Sequence, residues 1–319
     1  MPKFFWLLCL LSATTVVSFA QTPVSPDTSW KKGGFFALNA NQVSLYNWAA
    51  GGDNAVSVTG IINAFANYKK DKTTWDNSLD MGYGVITTGK KLDQIDSKSW
   101  RKNEDRFEIN SKFGRLAKGQ FFYSGMANFR TQFAPGYSDL AQTDKTSDFM
   151  APAYLTIALG MDWKPADYFS LFVSPATGKY TFVMNQTLAD AGAFGVEGAK
   201  YDALGLKISN GKRFRPEFGA SLVAKFQKDI MKNVNLKTSV TFFNNYTDKN
   251  TANRQNIDVN WDLTITMKVN KYISASIMTL LIYDHDITIK DVDAFGITTG
   301  QGPRTQYKQV IGVGFSYKF

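Results

Sequence analysis

Hydropathy alternates with a period of two residues along most of this chain, and that pattern fixes what it can fold into. Residues 257–268 show it most cleanly. Ile257, Val259, Trp261, Leu263, Ile265 and Met267 take one parity; Asp258, Asn260, Asp262, Thr264, Thr266 and Lys268 take the other. Successive side chains of a strand point to opposite faces, so this segment is a strand with one apolar and one polar face. The last residues repeat the pattern. Tyr307, Ile311, Val313, Phe315, Tyr317 and Phe319 alternate with Lys308, Gly312, Gly314, Ser316 and Lys318, with Gln309 the exception on the apolar side. No uninterrupted apolar run of helix-spanning length follows residue 20. If the chain enters a membrane it must do so as a closed barrel, because an open sheet edge leaves unpaired backbone groups in lipid.

Taken in order, strands are expected over 33–46, 55–69, 74–88, about 103–113, 120–133, 153–163, 168–185, 214–228, 234–246, 257–268, 272–286 and 307–319. In the second, Ile61 and Phe65 break the polar face. Pro175 and Gly178 interrupt the seventh and predict a bulge, an edge-like break or a turn. The connections alternate. Short turns fall near 70, 117, 165, 231 and 270, and longer loops near 50, 95, 142, 200, 250 and 295, the longest being Gln186–Arg213. A soluble sandwich has no reason to keep this parity; a transmembrane barrel with short turns at one end does. The expected fold is therefore all-β, a single antiparallel transmembrane up-and-down β-barrel of twelve strands. If Pro175 marks a turn and Tyr201–Ser209 a strand, the count becomes fourteen.

The start reads as a secretory signal over residues 1–20, with Lys3, an apolar run from Phe4 to Leu11, and a small-x-small site at Ser18-Phe19-Ala20. A polar leader over 21–32 with Pro23 and Pro26 precedes a barrel domain over 33–319. The single cysteine, Cys9, falls inside the signal, so the mature chain uses no disulfide and no thiolate metal site. An aromatic share of 14%, with 25 Phe and 14 Tyr, suits membrane interfaces.

Two resemblances add to this reading. The closing strand, with Phe315, Tyr317 and Phe319, resembles the terminal strand of bacterial outer-membrane barrels, where the final aromatic is read by the barrel-insertion machinery. The segment Trp48-Ala49-Ala50-Gly51-Gly52-Asp53-Asn54, with Ser57, Gly60, Asn63 and Tyr68 behind it, resembles the opening signature of a Bacteroidetes outer-membrane family catalogued as a domain of unknown function. The likeness runs on through Trp75, Gly82 and Arg106-Phe107 to the C-terminal strand. It implies a barrel in the outer membrane of a Gram-negative cell, with outer-membrane lipid as its surroundings, and supplies no activity. From the residues alone, the Gly-Gly pair is a loop conformation that glycine permits.

With apolar faces to lipid, the polar parity points into the lumen. The expected lumen charges are Asp76, Asp80, Arg106, Glu108, Lys112, Arg130, Arg215, Glu217, Lys225, Lys237, Asp258, Asp262, Lys268 and Lys308, joined by Lys318. Both signs are present with a basic excess. Such a set fits cross-lumen ion pairs that close the barrel, or an open pore with a mild anion preference.

His285 is the only histidine. Its expected neighbours, Thr305, Tyr307, Gln255 and Ile257, include no serine to make a nucleophile pair. Asp284, Asp286, Asp291 and Asp293 lack the EF-hand spacing and read as a solvated acidic loop. Gly192, Gly195 and Gly198 have no strand-to-helix context for a phosphate cradle. The net charge of +9 is dispersed along strands with no nucleic-acid-binding motif. No catalytic residue, metal or cofactor is expected. Three functions remain: a pore or transporter for small solutes, a closed barrel presenting loops to a surface partner, and, far behind, a lipid-active enzyme at His285.

Overall fold

The computed structural model describes residues 29–43, 54–89, 100–138, 142–292 and 298–318. The signal and all but the end of the leader, most of the Trp48–Asn54 motif, Asp293 and Phe319 lie outside these residues.

Twelve long strands form the wall. The first five are β1 (Trp30–Val43), β2 (Asn54–Lys70), β3 (Thr73–Gly89), β4 (Arg101–Lys118) and β5 (Phe121–Thr131). A small loop hairpin follows, β6 (Gly136–Tyr137) with β7 (Lys145–Ser147). The wall resumes with β8 (Ala153–Ala166) and β9 (Phe169–Phe182). A second loop holds helix α1 (Gln186–Asp190) and the strand pair β10 (Lys200–Tyr201) and β11 (Lys207–Ser209). Then come β12 (Phe214–Met231), β13 (Val234–Asn245), β14 (Ile257–Lys268) and β15 (Ile273–Tyr283). A third loop hairpin, β16 (Thr288–Val292) with β17 (Thr298–Pro303), precedes the closing β18 (Gln306–Lys318).

The wall closes on itself in the order β1, β18, β15, β14, β13, β12, β9, β8, β5, β4, β3, β2. All neighbours are antiparallel, so the expected twelve-stranded up-and-down barrel is the fold. The fourteen-strand alternative fails. Residues 200–201 and 207–209 pair only with each other, outside the wall, and are exposed throughout. Boundaries shift modestly: β1 begins at Trp30, inside the expected leader, β4 at Arg101, and β15 ends at Tyr283.

Pro175 marks a bulge. Leu159 faces Ala176 and Met161 faces Val173, so Ser174 and Pro175 together oppose Gly160. Proline cannot donate to the ladder, and the bulge removes that demand. Glycine is needed opposite it, because a Cβ on Gly160 would lie 2.0 Å from the Val173 carbonyl oxygen. The seam has the same logic. β1 pairs with β18 from Phe35–Lys318 to Asn39–Gly314, and a Cβ on Gly314 would lie 2.1 Å from the Leu38 carbonyl oxygen.

The wall is inside-out relative to a soluble domain. Trp75, Phe113, Leu159, Val173, Ile311 and Phe315 are exposed on the outside, whereas Asn39, Thr59, Ser124, Thr177 and Ser221 are buried within. Ile61 is buried on the inward row, and Phe65 shares its parity, so strand period overrides hydropathy at both misfits. Leu263 sits mid-strand on the outward row of β14. Leu263→Arg is expected to cost about 2–4 kcal/mol in refolding into bilayers, read from denaturant titration. An unchanged midpoint would contradict the assigned facing.

Candidate functional site: the ion-paired lumen

Period two delivers Arg106, Glu108, Asn110 and Lys112 of β4 to the same side of the wall, and register does the rest. The Arg106 guanidinium donates to Glu108 at 2.6 Å and, through Nη1, to Asp262 on β14 at 2.6 Å. β4 and β14 are opposite in the twelve-strand ring, so this bond crosses the lumen. β3 and β13 are also opposite, and Lys237 Nζ reaches Asp80 at 2.9 Å. Asp80 also accepts from Asn63, and Glu108 from Asn128. Lys308 of β18 reaches Glu104 of β4 at 2.6 Å. A charged belt therefore spans the barrel at mid-height.

Towards the turn end the lumen is drier. Lys112 pairs with fully buried Asp162 at 2.6 Å, and Lys164 pairs with Asp76 at 2.6 Å. Met126, Ala158, Phe172 and Val223 pack together inside this half. The ammonium groups of Lys112 and Lys164 lie 5.9 Å and 5.4 Å from the rings of Phe172 and Phe122. Burying these charges is tolerable only because each has an opposite partner close by.

Towards the loop end, Lys179 sits among Asp258 at 2.8 Å, Asp284 at 3.2 Å and Glu217 at 3.8 Å. Arg215 bonds Glu217 at 3.0 Å, pairs with Asp286, and donates to the Gly195 carbonyl at 3.2 Å. That last bond ties the 183–213 segment to the mouth. The segment is a folded cap. Asn185 N-caps α1 by accepting from the Leu188 amide, and Leu188, Ala189 and Val196 pack on Ala151 and Val183.

Of the expected lumen charges, Asp76, Asp80, Arg106, Glu108, Lys112, Arg215, Glu217, Lys237, Asp258, Asp262 and Lys308 enter ion pairs. Arg130, Lys225 and Lys268 have none among the described residues. Lys225 lies half-buried on β12 between Ser170 and Ser239, and Lys268 is exposed at the turn end of β14. The side chain of Lys318 lies outside the described residues. Several members escaped the sequence reading. Lys179 was hidden because the bulge at Pro175 shifts the parity of everything after it. Glu104 lay at the edge of its expected strand, two residues before the marked row of Arg106, Glu108 and Lys112. Asp162 was legible after all, since Leu155, Ile157, Leu159, Met161 and Trp163 mark the apolar parity of its strand and leave Asp162 on the polar one; Lys164 continues that parity just past the expected end at 163.

The acidic loop needs correcting. Asp284 and Asp286 turn inward to Lys179 and Arg215, so neither is a solvated loop carboxylate, whereas Asp291 stays on the solvated loop in a surface pair with Arg304. His285 has Tyr283 Oη 3.5 Å from Nδ1, and its amide donates to Asp258 at 3.4 Å. No serine is hydrogen-bonded to it among the described residues. No group of three metal-ligating side chains with site geometry occurs among them either.

A family model described as a protein of unknown function (DUF3078) matches residues 40–137. The Trp48–Asn54 motif falls in that interval. No curated protein matches the chain. Among solved structures the chain is similar to an outer membrane channel from Pseudomonas putida F1, at 9% identity and TM-score 0.36, covering 93% of this chain and 100% of that one. It is similar to the translocator domain of the autotransporter NalP from Neisseria meningitidis, at 10% identity and TM-score 0.34, covering 92% and 89%. It is also similar to OmpF from Salmonella typhi, at 10% identity and TM-score 0.27, covering 91% and 97%. The assignment of a closed barrel rests on the chain's own hydrogen-bonded seam.

The cap carries a testable charge. Asp190 accepts from Lys207, the Gly211 amide and Gln186, and these bonds hold its carboxyl down at about 2. A depressed carboxylate stabilises the folded cap above its ordinary range, and that contribution is lost as pH falls towards about 2. Asp190→Asn removes it at every pH. Limited trypsin digestion at neutral pH is expected to cut the variant at Lys200 and Lys207 several-fold faster, and an unchanged rate would contradict the anchoring role.

Proposed function

We propose that the chain is an integral protein of the Gram-negative outer membrane whose charged lumen is a narrow passage for small solutes, with a mild anion preference. The observation that carries this reading is the partition of the closed wall, apolar outside and ionic inside. Two bands of aromatic contacts flank the outer apolar surface. At the turn end are Trp30 with Tyr68 at 5.2 Å, Tyr168 with Phe226 at 5.7 Å, and Tyr272 with Phe315 at 6.1 Å between ring centroids. At the loop end are Phe107 with Phe133 at 5.5 Å and Phe182 with Phe214 at 5.1 Å. Girdles at both edges of an apolar band are what a bilayer-spanning barrel presents. In this reading residues 1–20 are the export signal, and Phe315, Tyr317 and Phe319 address the insertion machinery.

The anion preference is assigned to Arg130 and Lys225, lumen cations without an ion-pair partner among the described residues. The mid-height belt is the constriction. Its two bonds between opposite walls, Arg106–Asp262 and Lys237–Asp80, also favour a second reading, a barrel that stays closed and presents its loops, above all the 183–213 cap, to a surface ligand.

Single-channel recording in a planar bilayer across a KCl gradient separates them. The pore reading expects steady current with a reversal potential displaced towards chloride. Arg106→Gln unpairs Glu108 and Asp262 and is expected to shift selectivity towards cations; Asp262→Asn is expected to shift it towards anions. Silence from inserted protein, with both variants equally silent, would leave the closed, loop-presenting barrel.

A further inference from the structure

One feature of the outer wall answers to neither the passage nor the cap. Arg115 lies on the outward row of β4, two residues below exposed Phe113 and close to the β4–β5 turn. It is exposed, and it makes no ion pair or hydrogen bond among the described residues. A guanidinium on an apolar wall is costly unless an anion meets it, because hydrocarbon offers it no partner. Other cations share the corner. The Leu116 amide donates to the Lys72 carbonyl at 2.7 Å, which brings the β2–β3 turn beside it, and Lys118 ends β4. At this end Lys69 pairs with Asp167, and Asp71 adjoins Lys72 in the turn, so Arg115, Lys72 and Lys118 outnumber the acid at the corner.

Above Arg115 the wall is grooved. Gly125 occupies the outward row of β5 between Phe113 on β4 and Leu159 on β8, so the barrel surface dips there. Phe113, Tyr123, Leu159, Met161 and Val173 wall the dip, Pro175 of the bulge borders it, and Arg115 lies at one end. The walls are strongly exposed, Leu159 by 64% and Tyr123 by 65%. An apolar trough opening sideways with an unpartnered cation at its turn end has the two-part chemistry of a phospholipid.

We propose that this groove seats one acyl chain of an anionic phospholipid, whose phosphate is held by Arg115 with Lys72 and Lys118 at the same corner. The inference rests on the membrane reading above. It makes the seat a fixed lipid position on the wall, at the bulge between β8 and β9, rather than part of the general annulus. The charge at the corner selects an anionic headgroup, since a juxtamembrane Lys or Arg contributes about 1 kcal/mol towards an anionic lipid surface.

The test uses the detergent-solubilised protein titrated with dioleoyl phosphatidylglycerol, dioleoyl phosphatidylcholine or inorganic phosphate, with bound lipid counted by native mass spectrometry. Wild type is expected to hold one phosphatidylglycerol in preference to phosphatidylcholine, and inorganic phosphate is expected not to displace it. Arg115→Gln is expected to weaken that binding about fivefold, the equivalent of one lost cation, while Arg115→Lys keeps most of it. Gly125→Leu fills the trough, since a Cβ there already sits 3.3 Å from Leu159 Cδ2, and is expected to abolish the preference. Each variant is first shown to insert into vesicles by its mobility shift on unheated gels. Equal binding of both lipids, or variants that bind like wild type, would overturn the seat while leaving the membrane reading intact. Failure of wild type to insert would overturn both.

Discussion

Closure of the backbone ladder is the constraint on which everything else depends. Every wall strand has a partner on both sides only because β1 meets β18, through the pairs from Phe35–Lys318 to Asn39–Gly314. A wall left open there would present a row of unpaired amides and carbonyls, which water could satisfy and hydrocarbon could not. Gly314 makes the seam possible, and Asn39, buried beside it, would collide with a larger residue. Closure also decides which parity is inside, since twist and curvature turn one face of every strand to a common axis.

Once that axis exists, the charged parity has nowhere to go but into a confined space, and the charges must find one another. Pairs between opposite strands, such as Arg106–Asp262, then brace the wall across its diameter. Such pairs add less stability than their short distances suggest, because both ions give up water. Their consequence is geometric: they fill the middle of the lumen with polar groups in fixed places. The packed patch of Met126, Ala158, Phe172 and Val223 fills the turn half by a different means. The barrel is thus polar and crossed at mid-height, drier towards the turns, and roofed at the loop end by a cap tied through Arg215.

How much was legible varies along the chain in a physically sensible way. Where a strand keeps unbroken alternation, as in β14, its position, its facing and its inward Asp258 and Asp262 follow from period two alone. Where a bulge intervenes, parity is lost: Lys179 sits past Pro175, and nothing local says that its side of the strand has changed. The acidic stretch around His285 misled for another reason. Asp284 and Asp286 carry the composition of a solvated loop, and only the arrival of Lys179 from β9 and Arg215 from β12 draws them into the lumen. The cap was likewise opaque, because its small apolar core joins Leu188 and Val196 to Ala151 from a loop far back in the chain.

The sequence by itself determined the local, periodic properties: strand existence, two-faced character, the alternation of turns and loops, and hence an even-stranded barrel with both ends of the wall on one side. These follow from stereochemistry that repeats every two residues and needs no knowledge of distant neighbours. Only the tertiary structure decided which charges meet. Partners such as Arg106 and Asp262 lie on strands that no sequence spacing relates, and their contact depends on the ring size, the register of every intervening pair and the bulge at Pro175. Those quantities accumulate around the wall and become definite only when it closes.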